Sequence, residues 1–201
     1  NLMTKGTIDT TKVVALTGSE VKAPAYYRLV SGAKMADLVE GKISSENVRY
    51  ISGNLLTGEN VGKEGFLGFY ENQVTVIPEG DQHKFSFTEG WMAPGFTKLS
   101  NSQTFLSSLL PKKAYDIDTN TNGEERAFVM SGQYETVFPF DIYPVQLLKA
   151  VITNDIDKME KLGIYEVAPE DFALCEFVCT SKINSQQIIR DGLKVIEEEC
   201  M

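Results

Sequence analysis

The sequence is poor in the residues that most often carry metal or nucleophilic chemistry. It holds one histidine, one tryptophan and three cysteines in 201 residues. The single histidine, His83, has no specific partners for a triad or a His-based metal site, and reads as a loop residue. Cys175, Cys179 and Cys200 are too few, and odd in number, for a disulfide framework; this usage fits a reducing compartment. No apolar run approaches the roughly 20 residues that span a bilayer. The opening NLMTKGTIDT lacks the charged start and apolar core of a signal peptide. Neither G-x-G-x-x-G nor G-x-x-x-x-G-K-S/T occurs, so nucleotide phosphate binding has no support. Cations are also short, with 19 Lys and Arg against 28 Asp and Glu, a net charge of -9. Residues 1–95 account for -2 of this and residues 96–201 for -7. Such a surface repels phosphate backbones and anionic headgroups, which excludes nucleic acid as an expected partner. The acidic second half serves either as solubility charge or as an interface for a basic partner surface. The chain does not begin with Met and is expected to be an interior or C-terminal piece of something longer.

What is present is an ordinary core-forming composition, 42% hydrophobic and 23% charged, enough for one large or two small domains. The first half reads as strands. KVVALTG (12–18) and AYYRLV (25–30) are β-branched and aromatic, punctuated by Gly18 and Pro24. KMADLVEG (34–41) sets Met35, Leu38 and Val39 at helical spacing, with Gly41 as the stop. VRYISG (48–53) and QVTVIP (73–78) return to strand, and the glycine-rich GNLLTGENVGKEG between them reads as loop. Strand, strand, short helix, strand, strand is the order of a β-grasp domain, expected over 10–95. The Gly/Pro-flanked GWMAPG around Trp91 is the expected boundary.

Helical signals dominate 96–201. Ser100 and Gln103 have capping-box spacing before Phe105, Leu106, Leu109 and Leu110, with Pro111 ending the run. Pro144 opens a helix carrying Leu147, Leu148 and Val151. Asn154 or Asp155 caps the next, with Ile156, Met159 and Leu162 on one face and Gly163 behind it. Asn184 and Gln187 box a third, striped by Ile189, Leu193 and Ile196.

Two motifs bear on metals. DTNTNG places Asp118, Asn120, Asn122 and Gly123 as an EF-hand loop begins, but the closing carboxylate position is Val129, and the following AFVM reads as core. An Asn-Gly turn is the better reading. The paired carboxylates Glu124/Glu125, Glu170/Asp171 and Glu197–Glu199 read as solvated surface, the last as a frayed helix end. The second motif is Cys175-x3-Cys179, the close of the bacterial cluster run C-x2-C-x2-C-x3-C-P. With these as its third and fourth positions, the first two fall on Pro169 and Phe172, and Thr180 replaces the proline. Slid upstream, the template lands on Phe128, Ser131, Tyr134 and Phe138, followed by Pro139. Six of eight ligand positions are non-ligating. Two thiolates alone do not hold a four-iron cluster, and a buried Cys175 would act as a small hydrophobe.

The stretch FPFDIYPVQLLKAVITNDIDKMEKLGIYEVAPEDFALCEFVCTSKI resembles the two-cluster helical ferredoxin region of the C subunit of Rnf-type complexes. It is more similar to a cluster-free relative, the A-subunit family of the sodium-translocating NADH:quinone oxidoreductase. VVALTGSEV, ISGNLLTG, FLGFYENQVTVIPEG, LLPKKAYDIDTNTNGEERAFV and LLKAVITNDIDKMEKLGIYEV carry that resemblance across nearly the whole chain. It implies an α+β protein, a soluble-ligand-binding β-grasp domain followed by an α-helical ferredoxin-like domain without clusters. It implies a peripheral subunit on the cytoplasmic side of the membrane, docked on other subunits that carry flavins and iron. The complex would pass electrons from NADH to quinone and export Na+. A link to the quinone end is implied for the whole subunit, with no residue here marked for quinone contact. On this reading no residue is catalytic, and Cys175 and Cys179 are vestigial cluster positions, not ligands. Two other classes stay open: a free-standing small-ligand-binding module and an iron–sulfur electron carrier.

Overall fold

The computed structural model describes residues 1–81, 87, 90, 92–96, 98–99, 101, 105–110, 115 and 117–200, with Cys200 described for its backbone alone. Trp91, His83, Ser100, Gln103 and Pro111 lie outside the described residues, and with them the expected cap of the Leu106 run. The chain forms two compact units: Asn1–Leu99 with Phe105–Asn120, and Ser100–Thr104 with Thr121–Met201.

A short helix, α1 (Leu2–Lys5), precedes the sheet of the first unit. Its strands are β1 (Thr11–Thr17), β2 (Ala25–Val30), β3 (Val48–Ser52), β4 (Glu59–Asn60) and β5 (Gln73–Pro78). Their spatial order is β2-β1-β5-β3-β4, with β1 parallel to β5 and every other pair antiparallel. The mixed sheet follows from side-chain alternation. Val14 and Leu16 of β1 and Val74 and Val76 of β5 point to one face and are fully buried. Onto that face packs α2 (Met35–Val39), which buries Met35, Leu38 and Val39. Gly41 stands just past its end with φ +69, the left-handed conformation that glycine adopts without steric cost.

Two expectations need correction here. The loop over 53–65 contains β4, which its exposed Glu59 and Asn60 do not announce. The backbone makes this strand, pairing Ile51 with Asn60 and Ser52 with Glu59, while Asn54 Oδ1 accepts from the Leu56 and Thr57 amides to turn the chain. The Leu106 run is a 3-10 turn, Leu106–Leu109, not an α-helix. Leu110 is extended, at φ -95 and ψ 113, as the residue before a proline prefers. Beyond it, Thr119 and Asn120 fasten to the end of β5. Thr119 Oγ1 donates to Glu79 Oε2 at 2.5 Å and accepts from the Gly80 amide at 2.8 Å. Asn120 Nδ2 donates to the Gly80 carbonyl. Arg49 grips the same Glu79 through two bonds of 2.9 Å.

The second unit is helical: α3 (Tyr134–Val137), α4 (Pro144–Ile152), α5 (Ile156–Lys161), α6 (Ala173–Val178) and α7 (Ser185–Cys200). Pro144 is the first residue of α4, as its fixed φ and missing N–H favour. Asp155 caps α5 by accepting from the Lys158 amide at 3.2 Å, and Gly163 follows with φ +88. Asn184 Oδ1 accepts from the Gln187 amide, but Gln187 reaches forward to Asp191 at 2.8 Å, leaving the capping box half made. The helix persists through Glu197–Glu199 to Cys200, so the expected fraying is not seen.

Gly18 closes β1 at φ +121, and a Cβ there would stand 1.9 Å from the Val76 carbonyl oxygen. Gly18→Ala is therefore expected to destabilise the chain by more than about 1 kcal/mol and lower its urea midpoint. Denaturation followed by circular dichroism measures this, and an unchanged midpoint would contradict the packing described.

Candidate functional site

Cys175 and Cys179 lie in the core of the second unit. Pro169 starts a 3-10 turn, Pro169–Phe172, that runs into α6. Asp171 Oδ2 accepts from the Ala168 amide at 2.7 Å and fixes that entry. The turn and α6 then deliver Phe172 and Cys175 inward, both at 0% exposure. Leu174 and Phe177 on the same helix stay exposed. Cys179 ends α6 and is also buried. Three hydrogen bonds hold the flanks. Ser185 Oγ donates to the Phe172 carbonyl, Ser181 Oγ to the Ala127 carbonyl, and the Arg126 amide to the Ser181 carbonyl. The last two tie the 124–130 stretch against the segment that follows Cys179.

Of the eight template positions, five share one core cluster, Tyr134, Phe138, Phe172, Cys175 and Cys179, and Phe128 packs against it. Ser131 is exposed and Pro169 opens the turn. The contacts within the core follow a pattern that the linear template does not reveal. Tyr134 belongs to the first run, yet its buried hydroxyl has the Cys179 thiol, the fourth position of the second run, as its neighbour. That hydroxyl makes no well-formed hydrogen bond. Phe138, the fourth position of the first run, packs on Phe172 of the second, ring centroids 4.8 Å apart. Phe128 stays with Tyr134 of its own run, at 5.8 Å. Each run's last residue thus has a neighbour in the other run, while Cys179 also lies near Cys175 of its own run and Cys175 leans on Tyr134. In two-cluster ferredoxins the fourth cysteine of each run likewise ligates the other cluster.

The electrostatics disfavour a thiolate. Burial, with the Glu135 carboxylate and the Cys179 thiol as lesser causes, pushes the Cys175 thiol up to about 12. Its Sγ leans on the Tyr134 carbonyl at 4.0 Å. Burial and then Cys179 also push the Tyr134 hydroxyl above its usual range. Among the described residues no group of three or more His, Cys, Asp or Glu side chains is arranged to hold a metal. A four-iron cluster takes four thiolates; this shell offers two thiols among aromatic rings, and its donor set does not fit that group.

Other candidate residues are not gathered here. Asn122 and Gly123 have φ +52 and +136, as an Asn-Gly turn requires. The AFVM stretch is not core as expected: Val129 and Met130 are 55% and 60% exposed, and Phe128 alone of the four packs inward. The segment is neither helix nor strand, so no regular period turns its apolar residues to one side. Glu124, Glu125 and Glu197–Glu199 are exposed, and Glu170 is exposed beside the capping Asp171.

A two-unit α+β chain with this sheet and this thiol-bearing helical core matches one family model, described as the NQRA C-terminal domain, over residues 13–63. It is 43% identical over 98% of its length to the A subunit of the Na(+)-translocating NADH-quinone reductase of Hahella chejuensis, covering 44% of that protein. The corresponding protein of Rhodopirellula baltica is 42% identical over 96% of the chain, 42% of its own length being covered. That of Shewanella frigidimarina is 41% identical over 98%, with 44% covered. The chain is similar to these A subunits over nearly its whole length. It spans less than half the length of the curated relatives it matches.

The Cys175 environment has a checkable consequence. A thiol whose folded value is raised from the ordinary 9.0 to about 12 contributes stability fully below the unfolded value and loses it as pH climbs through that window. The native chain should leave Cys175 unalkylated by iodoacetamide at pH 8 and label it fully once unfolded. Its denaturation midpoint should fall between pH 9 and 11, more steeply than that of Cys175→Ala. Rapid native labelling, or identical pH slopes, would contradict the burial.

Proposed function

We propose that this chain is the scaffold and docking portion of a peripheral A subunit. The complex it serves oxidises NADH, reduces quinone and exports Na+. The observation that carries this reading is identity of 41–43% over 96–98% of the chain to proteins bearing that subunit's name. The portion itself has no catalytic residue on this reading; flavins and iron belong to other subunits, and any quinone contribution belongs to the whole subunit. A peripheral place on the cytoplasmic side of the membrane is proposed with it. In support, among the described residues no helix is long and apolar enough to cross a membrane.

The first unit is proposed to be a β-grasp domain of the soluble-ligand-binding type. The order β2-β1-β5-β3-β4, the parallel β1–β5 pair and the helix after β2 support this. All five strands fall within the proposed limits of 10–95. The second is proposed to be a ferredoxin-like helical domain whose clusters were replaced by packing, with Cys175 and Cys179 vestigial. The exchange of fourth positions supports this. Helices α3 to α7 fall within 96–201. The retained frame would preserve a docking geometry while electrons run elsewhere.

The test is co-purification of the tagged full-length subunit from native membranes in mild detergent. We expect flavin-bearing membrane subunits with NADH:quinone activity to follow it. Elution alone from the soluble fraction would favour the free-standing ligand-binding module. Stoichiometric iron on the tagged protein itself would favour the electron carrier.

A further inference from the structure

Strand β2 is the outer edge of the sheet, and its register determines which of its backbone groups are unpaired. The Ser31 amide bonds the Thr10 carbonyl at 2.8 Å, and β1–β2 partners continue in step as Lys12 with Leu29, Val14 with Tyr27 and Leu16 with Ala25. In an antiparallel ladder the bonded pairs alternate with unbonded ones. Ala25, Tyr27 and Leu29 therefore turn their amides and carbonyls to β1, whereas Tyr26, Arg28 and Val30 turn theirs outward. The other side of β1 agrees: the Ala15 amide, opposite Tyr26, points away from β2 and bonds the Asn72 carbonyl at 2.9 Å. The Val30 carbonyl is taken by the Ala33 amide. Among the described residues this leaves the amides of Tyr26, Arg28 and Val30 and the carbonyls of Tyr26 and Arg28 as a free ladder.

Natural sheets guard such an edge with charged side chains, lysine above all, with proline, a bulge or a very short strand. The far edge of this sheet has that protection, since β4 is two residues long. The near edge has less: β2 runs six residues, AYYRLV, with Arg28 as its one charged residue and no lysine, proline or glycine inside it. Its outward residues are also apolar on the open face. Tyr26 is 80% exposed, Val30 55%, and Val13, opposite Arg28, 53%. Arg28 stands exposed among them with no ion pair of its own among the described residues. Asp9 is near enough to feel its charge, but one Asp9 oxygen already accepts from Thr11 and the other from Asn1.

We infer that the β2 edge receives an extended strand from another subunit of the complex, adding a sixth strand to the sheet. The incoming strand fits if it carries an acidic residue against Arg28 and apolar residues two positions to either side, against Tyr26 and Val30. Directly opposed residues in a sheet share a face, so this pattern places the carboxylate over the guanidinium and the apolar groups over the exposed rings and methyls. Main-chain bonds supply attachment and the alternating side chains supply selectivity, the mode known as β-augmentation. Charge complementarity selects an acidic partner strand over a second copy of β2, which would bring its own arginine to the edge. The identification of the donor as another subunit rests on the docking reading above.

The experiment replaces Tyr26 with a benzophenone amino acid in the full-length subunit, irradiates native membranes, and maps adducts by mass spectrometry. The inference expects an adduct on a different subunit, within a segment of apolar-x-acidic-x-apolar pattern. Arg28→Glu should reduce the adduct about tenfold, while Lys5→Glu leaves it unchanged. Circular dichroism of each variant separates lost docking from lost folding. A complex that assembles with no adduct at position 26, or with adducts confined to the same chain or a second copy, overturns the inference and leaves the docking reading standing. A tagged protein that joins no complex overturns both.

Discussion

The contact of Phe138 with Phe172 is the constraint on which the second unit turns. One ring precedes α4 and the other opens α6, and at 4.8 Å between centroids they close a core that also contains Tyr134 and Cys175. Each buried aromatic of this size removes enough apolar surface from water to stabilise the fold by roughly 1.5–3 kcal/mol. On the reading proposed above, a ring at a position that the cluster template gives to a ligand does locally what a bound cluster does in a ferredoxin: it holds two segments distant in sequence against one volume. The high value of the Cys175 thiol follows from the same packing, because the rings that fill the volume also exclude the water that a thiolate would need.

The first unit answers a different constraint. Its core is made by alternation, with Val14, Leu16, Val74 and Val76 turned to one side, so the opposite side of β1 and β2 carries polar and apolar groups without a cover of its own. A sheet built this way has two edges. The β4 edge is short, and the β2 edge presents amides that are unpaired among the described residues. The packing that stabilises the unit therefore also determines where another strand can join it.

The sequence was most readable where a physical period coincided with an unambiguous stop. β1, β2, β3 and β5 are legible from their β-branched and aromatic residues and glycine or proline stops, α4 begins at the expected proline, and α5 is capped by Asp155, one of the two expected caps. β4 was not legible, because Glu59 and Asn60 are poor strand formers and the pairing is made by backbone alone. α6 was not legible either; ALCEFV is too short and too apolar to be told from a buried strand. The site was half legible. The spacing of Cys175 and Cys179 and the upstream aromatic run both follow from the template. The exchange that sets Cys179 beside Tyr134 and Phe138 on Phe172 exists only in three dimensions, since a linear motif assigns its fourth position to its own run. The exposed Val129 and Met130 show the converse limit: apolar composition alone does not place a segment in a core when no regular structure turns it inward.

The measurement that tests the account most directly is restoration of one shell. The chain carrying Phe128→Cys, Ser131→Cys and Tyr134→Cys keeps its own Cys179 as the exchanged fourth ligand. Reconstituted anaerobically with iron and sulfide, it should bind about four irons per chain and show broad absorption near ~400 nm. Cys179→Ala in that background should abolish this, and Cys175→Ala should not. A folded variant that takes up no iron, or one whose cluster depends on Cys175 and is indifferent to Cys179, would contradict the view that this core is a pair of exchanged cluster shells filled by side chains.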